Sequence, residues 1–486
     1  MPLSFNGLHF PAALGLLSTT VTAQDIFLAS TPDAPAAPNR ILQGYTTEGF
    51  PAVPEKPMDH AGVRLPDVTI SGVEPTHVFA IGDWGGLDGT LWTGQMPPNG
   101  RARLITYEGG HLGGPHVFPR SRWNLHHTER LCDHKQFVEC FNTKGAEPCE
   151  EGCGYIDGLD SEPQLLVAEQ FKARAALMRP KYILNVGDNF YWGGIEVDCG
   201  SSAMSVISPE ARHQFDQIFE GVYYGDGLDG IPWFSVLGNH DWGGRVFNNG
   251  WDQQIAYTWS SARWIMPAPY FMQRVNYVDQ GFSIDYIFID SNAMDAQDPS
   301  EDPEHNLCSE KYNTLQGNNK QNATCGDIGG PDDIYTCKEW FWNFWDTNKK
   351  WAEEKLIASR EEGIQWQIMI THFPCGHESE WYGRMRREHG LDLLVTGHRH
   401  DQELWLQGHW GYNMLSGLTC FVTGGGGGIT SEATPEENDG NWYGEAQYGF
   451  YDMTIEKDKI TIDSIDYKGE VILTGEVRPC DAWCPL

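Results

Sequence analysis

The 486-residue sequence predicts an α/β fold closed by antiparallel strands. Three observations carry that expectation. Short runs rich in Val, Ile, Phe and Trp recur from residue 76 onward. Stretches of helical period stand before several of them. The end of the chain, YDMTIEKDKITIDSIDYKGEVIL (451–473), changes to polar–apolar alternation with turn residues between.

The elements follow in order. Residues 1–23 contain no Lys or Arg, carry the apolar run FPAALGLL (10–17) and end in the small residues VTA, which reads as a secretory signal peptide. Residues 24–75 are rich in Pro and Ala and read as a linker or an extended surface segment. A catalytic domain is expected over 76–486. Its strand-like runs are THVFAI (76–81), KYILNV (181–186), PWFSVL (232–237), SIDYIFID (283–290), IQWQIMI (364–370) and LDLLVT (391–396). Helices are expected over 161–178, before the second run, and 345–363, before the fifth. Two stretches read as long loop insertions. Residues 88–160 are rich in Gly, His and Cys, and residues 294–337 are polar with three Cys. Loops of such length in a compact domain are functional or tied by disulfides.

Composition excludes some classes of function. With 33 basic and 67 acidic residues the formal charge is −34. A surface this acidic repels nucleic-acid backbones and anionic membranes, so neither is an expected partner. No run approaches the length of about eighteen apolar residues that a membrane helix needs. An anionic substrate would need local positive charge at its site.

Twelve Cys, an even number, and the sequon Asn322–Ala323–Thr324 agree with an oxidising, secreted or lumenal setting, with Asn322 as a glycosylation site. Disulfide pairing does not follow from sequence. A zinc ribbon is the rival reading for Cys132, Cys140, Cys149 and Cys153, against which their irregular spacing argues.

The chemistry lies at the ends of the apolar runs. After THVFAI comes GDWGG with Asp83, and after KYILNV comes GDNFY with Asp188 and Tyr191. After PWFSVL comes GNHD with Asn239 and His240, after IQWQIMI comes THFP with His372, and after LDLLVT comes GHRHD with His398 and His400. Ligands of open α/β sheets bind at the carboxyl ends of the strands, so these five loops are expected to converge. Asp83, Asp188, Tyr191, Asn239, His372, His398 and His400 are too many donors for one ion. They suit two, with one carboxylate shared. Paired ions about 3.5–4 Å apart are the usual clamp for phosphoryl displacement. A phenol such as Tyr191 becomes a phenolate ligand only beside a strongly acidic ion, which points to ferric iron. Two carboxylates, a phenolate and a hydroxide against a trivalent and a divalent ion leave about one positive charge, the local attraction a phosphate needs.

Other residues keep blander alternatives. His240 is a helix-start or core histidine, or it contacts substrate and protonates a leaving group. His377, five residues past His372, is a candidate neighbour of the site. The run GGGGG (424–428) lets backbone approach the site or is a plain turn. His111, His116, His126, His127 and His134 read as solvated loop histidines, with cleft lining or binding of a further metal as the alternatives.

The ordered set GDWGG, GDNFY, GNHD, HFP and GHRH resembles the calcineurin-like metallophosphoesterases. The tyrosine of GDNFY narrows the resemblance to purple acid phosphatases, and QIAYTWSSARWIMPAPYF (254–271) is most similar to their small, tartrate-resistant branch. The resemblance covers roughly residues 76–300 and 340–455. It implies two packed β-sheets flanked by helices, a four-layer sandwich, here with two long insertions. It implies that Asp83, Tyr191 and His400 hold Fe(III), that Asp188 bridges and serves catalysis, and that Asn239, His372 and His398 hold a divalent Fe, Zn or Mn. His240 would be catalytic beside the metals. The reaction implied is acid hydrolysis of small phosphate monoesters by a metal-activated water or hydroxide. The chain departs from the family pattern in Arg399 of GHRHD and in CGHESEWYGR after His372. Two alternatives stay open: a phosphodiesterase or nucleotide-cleaving enzyme on the same centre, and a non-enzymatic extracellular protein that reuses the fold.

Overall fold

Two sheets face each other. In the computed structural model, which describes residues 49–85, 163–191, 193–301, 305–317, 319–428 and 448–480, one sheet has seven strands and the other eight. The stretch 1–23 read as a signal peptide, the expected insertion 88–160 with its histidines and cysteines, and part of the segment 24–75 lie outside the described residues.

The seven-stranded sheet runs in the order Val471–Val477, Ile460–Asp466, Gly449–Ile455, Thr76–Ile81, Ile183–Asn185, Trp233–Ser235 and Trp264–Ile265. Thr76–Ile81 and the three strands beyond it are parallel, and the C-terminal three are antiparallel, as the alternation in 451–473 predicts. The larger sheet runs Val63–Arg64, Phe271–Tyr277, Phe282–Phe288, Trp366–Ile370, Leu393–Thr396, Thr419–Thr423 and Gln402–Trp405, with Val68–Ile70 also on Phe271–Tyr277. Its middle is parallel too. The parallel strands are apolar on both faces because both faces are covered. The Pro-rich segment before residue 76 supplies the two short strands Val63–Arg64 and Val68–Ile70, with Pro66 between them, where proline costs no ladder bond.

Aromatic residues join the sheets. The hydroxyl of Tyr182 lies 2.8 Å from those of Tyr277 and Tyr286, and Phe421 of one sheet meets Tyr451 of the other at 4.5 Å. Outside the seven-stranded sheet, helix Pro163–Met178 buries Phe171 edge-on against Phe79 and Phe450. Each such pair adds about 0.5–1.5 kcal/mol beyond its buried area. Against the other sheet lie Ile334–Glu361 and Ser379–His389. Helices, two sheets and helices make the expected four layers.

The long helix begins at Ile334 instead of near Trp345, inside what reads as insertion. Asp333 caps it, accepting from the amides of Tyr335 and Thr336 while Thr336 Oγ1 takes the Asp333 amide. Ile334, Cys337, Phe341, Phe344 and Trp345 then bury at helical spacing. The rest of that stretch is tied down by Cys199–Cys325 and Cys308–Cys337, and Cys375–Cys420 fixes the loop after His372.

Candidate metal centre

The five loops after Ile81, Asn185, Ser235, Ile370 and Thr396 meet at the carboxyl ends of the parallel strands of both sheets. Three residues turn there through left-handed backbone without being glycine: Asp83 at φ 56°, Asp188 at φ 51° and His398 at φ 70°. Such strain persists where the surroundings dictate it, commonly at functional sites. Gly187, at φ 98°, sits so close to Gly238 that an added Cβ would lie 2.6 Å from its amide. The glycine run is resolved in the same way. A Cβ on Gly428 would lie 2.5 Å from the Tyr191 ring, so the run lets backbone lie against the site.

Two donor groups share Asp188. Asp83, Asp188 and His400 form one, and Asp188, His372 and His398 the other, each with ligand atoms within 4.8 Å of one another. In the first, Tyr191 hydroxyl lies 2.7 Å from Asp188 Oδ2, 3.1 Å from Asp83 Oδ1 and 3.1 Å from His400 Nε2. In the second, Asn239 Oδ1 lies 3.0 Å from His372 Nε2 and 3.1 Å from His398 Nδ1, and Asp188 Oδ1 is 3.4 Å from His372 Nε2. Asp188 therefore turns one oxygen to each group. His372 Nδ1 donates to the carbonyl of Val186 at 2.8 Å, so Nε2 is the nitrogen turned to Asn239 and the one that would face a cation. Seven oxygen and nitrogen donors converge here, all but the half-exposed His398 buried. This set fits a pair of hard or borderline cations.

The electrostatics agree. Burial raises Asp83 well above the usual carboxylate range, only partly offset by His372. Burial works the same way on Asp188, but His372, His240 and the hydrogen bonds of His372 and Tyr191 outweigh it and hold the carboxyl low. Burial and the charges of Asp188 and Asp83 push Tyr191 far up, so a phenolate here requires a cation. His398 is held well below its ordinary value by burial and then by His372.

His240 is partly exposed at the edge of the centre. Its ring lies 4.6 Å from that of Tyr191, and its amide donates to Asp188 Oδ1 at 2.9 Å. His377 is farther out, exposed, 5.3 Å from the Phe373 ring, which itself stacks on His398 at 4.1 Å. Partial desolvation and the charge of Arg399 lower the His377 imidazole. Asn322 is exposed, its Oδ1 accepting from the Leu315 amide at 2.9 Å.

Sequence reading misses the residues that hold these loops. Asp241, fully buried, accepts from the amides of Gly238, Asn189 and Phe190 and from the side chains of Asn189 and Gln254. Asp295 accepts from Asn239 Nδ2 at 2.9 Å. Asp241 has a signal of sorts, following the GNH triplet directly. Asp295 has none, standing in a polar stretch 56 positions from its partner.

A family model described as calcineurin-like phosphoesterase matches residues 164–402. Tartrate-resistant acid phosphatase type 5 of Rattus norvegicus is 25% identical over 271 residues, 52% of this chain. The match spans 65% of that relative's length. Purple acid phosphatase 7 of Arabidopsis thaliana is 24% identical over 315 residues, 64% of this chain and 79% of its own. Among solved structures, GAP50, the anchor in the inner membrane complex of Plasmodium, is similar at a TM-score of 0.47 and 14% identity, over 84% of this chain and 90% of that one.

Proposed function

We propose that this chain, a purple acid phosphatase-like metallophosphoesterase, hydrolyses small phosphate monoesters at a centre for one ferric and one divalent ion. The observation that carries the reading is Asp188, whose two oxygens serve the two donor groups that flank it. Asp83, Tyr191 and His400 would hold the ferric ion, and Asn239, His372 and His398 the divalent Fe, Zn or Mn. When bound, such a pair lowers the pKa of a water and offsets the charge of the phosphoryl oxygens.

The chain's own residues supply the rest. Asp188, with one oxygen turned to each donor group, fixes both halves relative to each other. His240, partly exposed beside Tyr191, would give a ring proton to the departing alkoxide oxygen as the phosphorus–oxygen bond breaks. Its ring lies against that of Tyr191 at 4.6 Å.

Three disulfides among the described residues support a secreted or lumenal location, as does the exposed Asn322 as a glycan acceptor. Among the described residues no helix is long and apolar enough to cross a membrane.

The test is metal analysis of the purified protein with its visible spectrum, then parallel assays on a monoester and a diester at acidic pH. About two metals per chain including iron, a purple or pink colour and monoester turnover are expected. Two colourless divalent ions would discard the ferric assignment. Faster diester cleavage would discard the monoester assignment, and full metal loading without turnover would turn the reading to a non-enzymatic protein.

A further inference from the structure

We infer that Asp295 is a positioning residue that sets how tightly the Asn239, His372 and His398 group holds its ion. The inference rests on the dimetal reading above and assigns a role to a residue outside both donor groups.

An asparagine amide can offer a cation only its oxygen, and nothing in the amide itself decides which end faces inward. Here the choice is made from behind. Asn239 Nδ2 donates to Asp295 Oδ2 at 2.9 Å, and Oδ1 is left pointing at His372 Nε2 and His398 Nδ1. Both partners are buried, Asn239 at 2% exposure and Asp295 at 6%. A carboxylate accepting from one end of an amide in a dry site pulls electron density toward the carbonyl end. The oxygen becomes a better donor to a cation, and the extra negative charge favours that cation further.

Asp295 is itself held. It ends the short turn Asn292–Asp295, which Asn292 anchors by donating from Nδ2 to the Leu237 carbonyl at 2.9 Å, two residues before Asn239. Asp290 starts the same turn, accepting from the Asn292 amide at 2.9 Å and from Trp242 Nε1 at 2.7 Å. The amide of Leu307 bonds the Asp295 carbonyl at 2.8 Å, next to the Cys308–Cys337 bridge. The turn is thus clamped to both sides of the GNHD loop. The first residues of the stretch that reads as an insertion support the donor group they lie behind.

The test uses the full-length holoprotein. The labile ion is stripped with a mild chelator, the ferric ion is kept, and Zn²⁺ is titrated back into wild type, Asp295→Asn and Asp295→Ala. Partners of this kind alter metal affinity about 10–100-fold when removed. The expected result is a Zn²⁺ dissociation constant raised about 10-fold in Asp295→Asn and up to about 100-fold in Asp295→Ala, with the visible tyrosinate band unchanged in both. Equal zinc affinity in all three proteins overturns the inference. So does parallel loss of the visible band, which marks a general structural role. The near-isosteric Asp295→Asn carries the test if Asp295→Ala does not fold. Wild type that takes up neither iron nor zinc sinks the dimetal reading itself, an outcome visible without any variant.

Discussion

Asn189 gives both its main-chain amide and its side-chain Nδ2 to the carboxylate of Asp241, at 2.9 and 3.0 Å. One residue lies just past Asp188 and the other just past His240, so this contact staples two of the loops that build the centre. Burial pushes Asp241 up to about 7, aided by the Asp188 charge and opposed by these hydrogen bonds. Asp241→Ala would leave several buried donors without an acceptor, at roughly 1–3 kcal/mol each when unrelaxed. The expected outcome is a loss of about 3 kcal/mol or more in urea unfolding of metal-free protein, with impaired metal uptake. A change under about 0.5 kcal/mol would refute the staple.

Tyr191→Phe removes a phenol that touches both carboxylates of the first group. The purple band should vanish from the visible spectrum while His372, His398 and Asn239 keep their ion. An unaltered band in the variant would take Tyr191 out of the centre.

Asp188→Asn is expected to lose both ions together, because a single carboxylate serves both groups. The check is the metal-to-protein ratio by elemental analysis, which should fall from about two toward zero. Activity should fall with it, by at least about a hundredfold. Full occupancy of either ion, with wild-type turnover, would dismiss the sharing.

Acid should stabilise the fold over a defined window. Burial raises Asp392 to about 7 against the opposing hydrogen bonds of the Cys480 and Gln367 amides. Burial likewise raises Asp252 to about 7, opposed first by the Gly200 amide. The unfolded chain ionises these carboxyls near pH 4, well below the folded state. Between about pH 4 and 7 the folded state therefore holds more protons, and stability rises as pH falls. Below about 4 both states are protonated and the gain ends. Unfolding midpoints across pH 4–8 should decline toward neutrality, and Asp392→Asn should flatten that slope. A midpoint that climbs from pH 5 to 7 would contradict the assignment.

The loops that carry chemistry were legible because each combines a local apolar run with a turn and a polar residue, a pattern confined to about ten positions. All seven proposed donors come together. The antiparallel close was legible for the same reason, since alternation is a local signal. What escaped is long-range. Asp295 reaches Asn239 across the fold, and Asp241 gathers amides from another loop, so neither partner can be named without the topology. The start of the long helix was hidden because the polar, Cys-bearing stretch up to Cys337 reads as an insertion until Asp333 is seen to cap a helix from Ile334. The pairings Cys199–Cys325 and Cys375–Cys420 join residues 126 and 45 positions apart and depend wholly on packing.

The left-handed turns at Asp83, Asp188 and His398 bear on how the donors are aimed. Each costs about 1–2 kcal/mol, and close backbone packing holds them there: an added Cβ on Gly238 would collide with Asp188 Oδ1 and one on Gly397 with Asp83 Oδ2, while the His398 amide donates to Asp83. The donors are thus aimed by main chain, so a side chain forced into either glycine would swing a whole loop out of register and not merely displace one ligand.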